Sequence, residues 1–206
     1  MVPNAAGASV GTLMEREAAE AGAAVSRMLV ANRDAIAQVA AKLRARAPAV
    51  VVTCARGSSD HAATYAKYLI ETLTGVPTAS AALSVASLYD APVTPGNRLC
   101  LAISQSGKSP DLLATVEHQR KAGAFVVAMV NAEDAPLAAL ADIVIPLKAG
   151  PERSVAATKS YICSLAAIAA LVAAWAEAAA LEAGVAGLPA QLERGFALGW
   201  SPPAAP

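Results

Sequence analysis

Five short apolar runs, most rich in β-branched residues and bounded by turn-forming ones, constrain this chain more than any other feature. They are Val50–Thr53, Thr78–Ala81, Leu99–Ile103, Phe125–Val130 and Ile143–Leu147. Four are continuous rather than alternating, as expected of strands buried on both faces of a parallel sheet. Thr78–Ala81 carries the weakest pattern of the five. Helical patterns fill the intervals. Ser59–Thr72 places apolar residues at Ala62, Tyr65, Ala66 and Leu69, and Asp111–Ala122 is amphipathic and closes at Gly123. A short segment at Pro136–Ala141 carries proline in its first turn. Strand and helix alternate, which predicts an α/β domain on a parallel sheet.

Helices flank this core. Met14 to Arg46 reads as one helix ended by Pro48, with Asn32 a candidate interruption. An alanine-rich helix is expected from about Ala156 to Ala183, ended by Gly184. Its stretch Tyr161–Ala176 is apolar but shorter than the ~20 residues of a spanning helix, so it reads as a core helix. The N-terminus has neither the basic nor the apolar region of a signal peptide, and cytoplasmic residence is expected. The domain plan is a disordered segment 1–13, one domain over 14–195, and a Pro-rich tail over 196–206 that ends Ser201–Pro206.

Composition limits the ligand. Lys+Arg and Asp+Glu number 16 each, which removes the electrostatic footprint of a nucleic-acid binder. Cys54, Cys100 and Cys163 form no CxxC pair and read as buried thiols. With two histidines, His61 and His118, no metal site is expected. An anionic ligand must therefore be held by a local device.

Two strand-to-helix junctions offer one. Thr53-Cys-Ala-Arg-Gly-Ser-Ser-Asp-His61 follows the first strand, and Ser104-Gln-Ser-Gly-Lys-Ser-Pro-Asp111 follows the third. A helix N-terminus carries unpaired N–H groups and partial positive charge. Loop hydroxyls add donors for phosphate oxygens, and Gly57 and Gly107 permit close backbone approach. In a 2-1-3-4-5 sheet these loops face each other at the topological switch point. The competing reading is that Ser59 and Ser109 merely cap helices. Neither GxxxxGK[ST] nor GxGxxG is present.

At these residues the chain resembles a known family. Ser104-Gln-Ser-Gly-Lys-Ser-Pro-Asp111 is similar to the SQSGxTxDT signature of SIS (sugar isomerase) domains. Cys54-Ala-Arg-Gly-Ser-Ser59 is similar to that family's C-G-T-S loop with an insertion, and Val155-Ala-Ala-Thr-Lys-Ser-Tyr161 to its V-A-S-T-K-x-[FY] stretch. Order and spacing agree over roughly residues 14 to 185. The nearest resemblance is to the first SIS domain in the isomerase half of glucosamine–fructose-6-phosphate aminotransferases and to related amino-sugar-phosphate deaminases and isomerases.

The resemblance implies a flavodoxin-like three-layer sandwich with a five-stranded parallel sheet and no cofactor. It implies a hexose or hexosamine 6-phosphate as partner, held at the phosphate by Ser104, Gln105, Ser106 and Ser109. Ser58 and Ser59 would line the sugar, with backbone groups of Val155 and Ala156. Ala157 stands where the family has serine, and Lys108 where it has glutamate.

Aldose–ketose isomerisation, or deamination of a hexosamine 6-phosphate, also needs a carboxylate near C1 and C2, and often an imidazole for ring opening. Glu71, at the end of the helix after the first loop, is the candidate base, and His61 the candidate for ring opening. Glu152 is a lesser candidate. In double-SIS relatives these groups resemble ones from a second SIS domain and a partner subunit, which makes a non-catalytic binding module, or half of such an enzyme, the alternative. The apolar last helix points to a homodimer.

Overall fold

In the computed structural model, which describes residues 12–198, the strands are β1 (Val50–Ala55), β2 (Thr78–Ser80), β3 (Arg98–Ser104), β4 (Phe125–Val130) and β5 (Ile143–Pro146). They form one sheet in the order β2-β1-β3-β4-β5, every pair parallel. The five expected strands are thus all present.

Alternation along the central strands divides the core by residue size. Leu99, Leu101 and Ile103 of β3, with Val127 and Met129 of β4, pack on one face. That face is covered by α2 (Ala21–Arg46), α3 (Ser58–Thr74) and α7 (Lys159–Ala176). Smaller residues, Cys54, Cys100, Ala102 and Ala128, point to the other. There α5 (Pro110–Lys121) lies over them through Leu112 and Val116, and α6 (Pro136–Leu140) through Leu137. Leu83 of α4 (Leu83–Ser87), an element the sequence pattern did not show, completes this layer. The result is the expected three-layer α/β sandwich.

Two long helices are each divided. The first becomes α1 (Leu13–Ala19) and α2, meeting at Glu20. Thr12 caps α1 by accepting from the Glu15 N–H at 3.1 Å. Asn32 does not interrupt α2. Its buried carboxamide donates to the Met28 carbonyl at 2.7 Å and the Pro146 carbonyl at 2.8 Å, tying the helix to β5.

The alanine-rich helix begins at Lys159 rather than Ala156 and ends at Ala176. Glu177, at φ 54°, takes the left-handed conformation that stops it. The chain then reverses into α8 (Ala179–Ala197), which runs through Gly184 and Pro189 instead of ending at the glycine. Alanine and glutamate are good helix formers, so local propensity hides this turn. α7 is long and apolar enough to cross a membrane, yet 67% of it is buried in the fold, as a core helix requires. The tail expected over 196–206 starts later than that, because α8 runs to Ala197; residues 1–11 and 199–206 lie outside the described residues, whereas Thr12 and Leu13 are ordered in the cap and first turn of α1.

Candidate functional site

β1 and β3 are neighbours where the strand order reverses, with Ala55 opposite Ile103 at their carboxyl ends. The two Ser-rich loops therefore emerge side by side. In the first, Gly57 takes φ 55° and passes directly into α3. In the second, the Ser104 hydroxyl accepts from the Gly107 N–H at 2.9 Å and folds the loop back on the strand. Gly107 has φ +62°, and a Cβ there would lie 2.6 Å from Ala135 Cβ and 2.9 Å from Val130 Cγ2. Its carbonyl accepts from the Leu137 N–H at 3.2 Å. The loop is thus clamped between the end of β4 and α6, and only glycine fits the clamp.

Between the loops lies a cavity of about 240 Å³. It brings together Ser104, Gln105, Ser106 and Ser109 from the second loop with Ser58 and Ser59 from the first, all six of the residues expected there by side chain. Ser109 occupies the N-cap position of α5, but its side chain makes no capping hydrogen bond. Ser59 lies inside α3, one residue past its start. The capping explanation of these hydroxyls therefore fails, and they stay available to a ligand.

The third wall differs from expectation. Val155 is 96% exposed, and neither it nor Ala156 lines the cavity. Ala157 does, together with Ser160, Tyr161 and Ser164 from the start of α7. Ser160 and Ser164 stand i, i+4 on one buried face of an otherwise apolar helix, a signal that marks a polar wall. Ser160 donates its hydroxyl proton to Glu152, whose carboxylate also accepts from the Thr158 N–H at 2.7 Å. With that proton committed, Ser160 presents lone pairs to the cavity, suited to accept from a ligand hydroxyl. Glu152 thus stands one residue behind the wall and caps α7. Lys108 is exposed and does not line the cavity. The cavity wall missed from the loop motif is Arg56, whose guanidinium pairs with Asp111 at 2.8 Å.

The candidate acid–base residues are not brought into the cavity. Glu71 lies near the far end of α3, a 17-residue helix about 25 Å long by the ~1.5 Å rise per residue. Its carboxylate accepts from the Thr78 N–H at 2.9 Å and so fastens the helix end to the start of β2. That is the opposite end of the strands from the serine loops, which follow the carboxyl ends of β1 and β3. His61 is exposed in the first turn of α3 and lines no part of the cavity. Among the described residues no cluster of three or more His, Cys, Asp or Glu is placed to hold a metal ion.

The buried thiols lie elsewhere in the core. Cys54 and Cys100 sit with their sulfurs 3.7 Å apart. The hydrogen bond to Cys54, then burial, holds the Cys100 thiol well above the usual range. Burial pushes Cys163 up to about 12.

Sheet order, serine loops and the polar start of α7 together define a small polar crevice at the switch point of a doubly wound domain. The chain belongs to the SIS domain family, whose model matches residues 45–174. It is 37% identical over 162 residues to a glutamine–fructose-6-phosphate aminotransferase (isomerizing) of Symbiobacterium thermophilum, a match covering 74% of this chain and 26% of that protein. Its structure superposes on a protein of Silicibacter pomeroyi DSS-3, provisionally assigned as a phosphosugar isomerase. That match has a TM-score of 0.89 at 46% identity and covers 92% of this chain and 58% of the other. The C-terminal domain of glucosamine-fructose-6-phosphate aminotransferase from Francisella tularensis gives 0.72 at 26% identity, covering 92% and 56%. The chain thus spans about a quarter of the aminotransferase it matches and little more than half of these two solved chains.

Proposed function

We propose that the crevice binds the phosphate group of a hexose or hexosamine 6-phosphate. The observation that carries this reading is the convergence of five serine hydroxyls and Gln105 from two strand-to-helix loops on one small cavity. Hydroxyl donors at helix N-termini suit phosphate oxygens without net basic charge. The similarity to phosphosugar-handling proteins supports the same ligand class. Ser106→Ala is expected to weaken binding of glucosamine 6-phosphate and fructose 6-phosphate by about 1–3 kcal/mol, the cost of an unmet charged hydrogen-bond partner. Isothermal titration reads this directly, and equal affinity in the variant removes the phosphate assignment.

The chemistry we assign is aldose–ketose isomerisation or deamination of a hexosamine 6-phosphate, with acid–base groups from outside the described chain. No described carboxylate or imidazole lines the crevice, and this favours, as a second reading, a sugar-phosphate-binding module. A turnover screen of the purified chain against hexose and hexosamine 6-phosphates separates the two. We further propose a homodimer, for which Val30 of α2 and Tyr68 of α3, each 70% accessible on the same layer, offer exposed apolar surface. A monomeric mass by light scattering would refute the dimer.

A further inference from the structure

Among the described residues, Arg56 contributes the only charged side chain to the lining of the crevice. Every other side chain lining it is a serine hydroxyl, the Gln105 amide, the Tyr161 phenol or the Ala157 methyl. Neutral donors of this kind hold a phosphate oxygen, but their partial charges separate one negative charge from two less than a full positive charge does. A guanidinium discriminates strongly, because its attraction scales with ligand charge.

The geometry also shows how Arg56 is kept in place. It stands between the crevice and an adjoining cavity of about 530 Å³, and it lines both. Asp111, at the first turn of α5, holds one edge of the guanidinium at 2.8 Å, and its side chain is only 20% exposed. Asp111 and Asp60 of α3 both line the adjoining cavity, and neither lines the crevice. Guanidinium carries five N–H donors in a planar fork. One nitrogen is committed to Asp111, and the rest of the fork remains for a ligand. Arg56 is 59% exposed, so a ligand reaches it without any core rearrangement.

We infer that Arg56 is the charge-reading residue of the crevice, selecting a dianionic phosphate ester over a monoanionic or neutral ligand, with Asp111 as its positioning residue. This rests on the sugar-phosphate reading and deepens it. A phosphate ester has its second pKa near 6, so at about pH 7.5 it is mainly a dianion, whereas a sulfate ester of the same sugar is a monoanion.

The test titrates fructose 6-phosphate and fructose 6-sulfate into wild type, Arg56→Ala and Arg56→Lys. Wild type is expected to prefer the phosphate by about tenfold or more. Arg56→Ala should lose about tenfold to hundredfold in phosphate affinity and most of the preference. Arg56→Lys keeps the charge without the fork, and should keep the preference at reduced affinity. A merely structural role would lower both affinities equally and leave the preference intact in Arg56→Ala, which overturns the inference. So does an Arg56→Ala variant with wild-type affinity for the phosphate. In both cases wild-type phosphate binding preserves the sugar-phosphate reading. Absence of wild-type binding to the phosphate ester overturns both.

Discussion

Gly107 shows how one residue holds the site open. Its φ of +62° already disfavours any side chain, and a Cβ would meet two core side chains at under 3 Å. Ala135 and Val130 belong to the packed layer under α5 and α6, so neither yields cheaply. Gly107→Ala is expected to cost about 2–4 kcal/mol, combining left-handed strain with overpacking. Urea denaturation measures it, and a loss under about 0.5 kcal/mol would show that the loop relaxes freely. The neighbouring Ser104 has two roles in the same turn. Its oxygen accepts from the Gly107 N–H, which fixes the loop, while its own proton remains for the cavity. Glu71 shows the contrary case, a carboxylate that satisfies a backbone N–H at the start of β2, at the amino-terminal end of the strands. Its place in the sequence, at the end of the helix after a ligand loop, does not distinguish a catalytic carboxylate from a cap.

At the scale of elements, the corner between α1 and α2 anchors the third wall of the crevice. Glu17, buried, accepts from the Arg153 N–H at 2.8 Å, from the Ser154 N–H at 3.0 Å and from the Ser154 hydroxyl. Glu20 pairs at 2.5 Å with Lys159, a buried cation at the N-terminus of α7 where the helix dipole disfavours it. The two glutamates thus hold the segment that delivers Ala157 and Ser160. The Ser154 hydroxyl, then the Arg153 N–H, lowers the Glu17 carboxyl below its ordinary value of 4.5. A depressed folded pKa stabilises the fold above the ordinary pKa, and this is lost as pH falls through the folded one. Wild type should therefore melt above Glu17→Gln at neutral pH, and the gap should close as pH drops below about 4.5. Thermal melts across that range check it, and a gap constant with pH would contradict the assignment. This anchoring was invisible in the sequence, because 136 or more residues separate its partners. The strands and both serine loops were legible, since buried apolar runs and glycine-containing junctions carry local signals. The break at Glu177 was not, because it replaces one good helix former's conformation without changing its type. Ser160 and Ser164 were missed for a related reason. Their i, i+4 spacing shows which helix face is polar, but not that the face meets two loops about fifty and a hundred residues earlier.

At the scale of the whole molecule, charge balance sets how the ligand is found and held. Sixteen cationic and sixteen anionic side chains cancel, so no long-range field draws an anion toward the crevice. Attraction begins at the cavity itself, where hydroxyls, helix N-termini and Arg56 act over a few ångströms, well inside the ~8–10 Å screening length of ordinary buffers. Arg56 is moreover partly neutralised by Asp111. Affinity for fructose 6-phosphate should therefore weaken by no more than about threefold between about 20 mM and about 200 mM salt. Short-range hydrogen bonds to neutral donors are not screened at these concentrations, and a single half-exposed ion pair contributes little to the slope. Titration at four or five salt concentrations decides the matter. A tenfold or steeper loss would mean that several cations act on the ligand together. Since the described crevice contains one, the others would have to come from a partner subunit or from residues beyond those described.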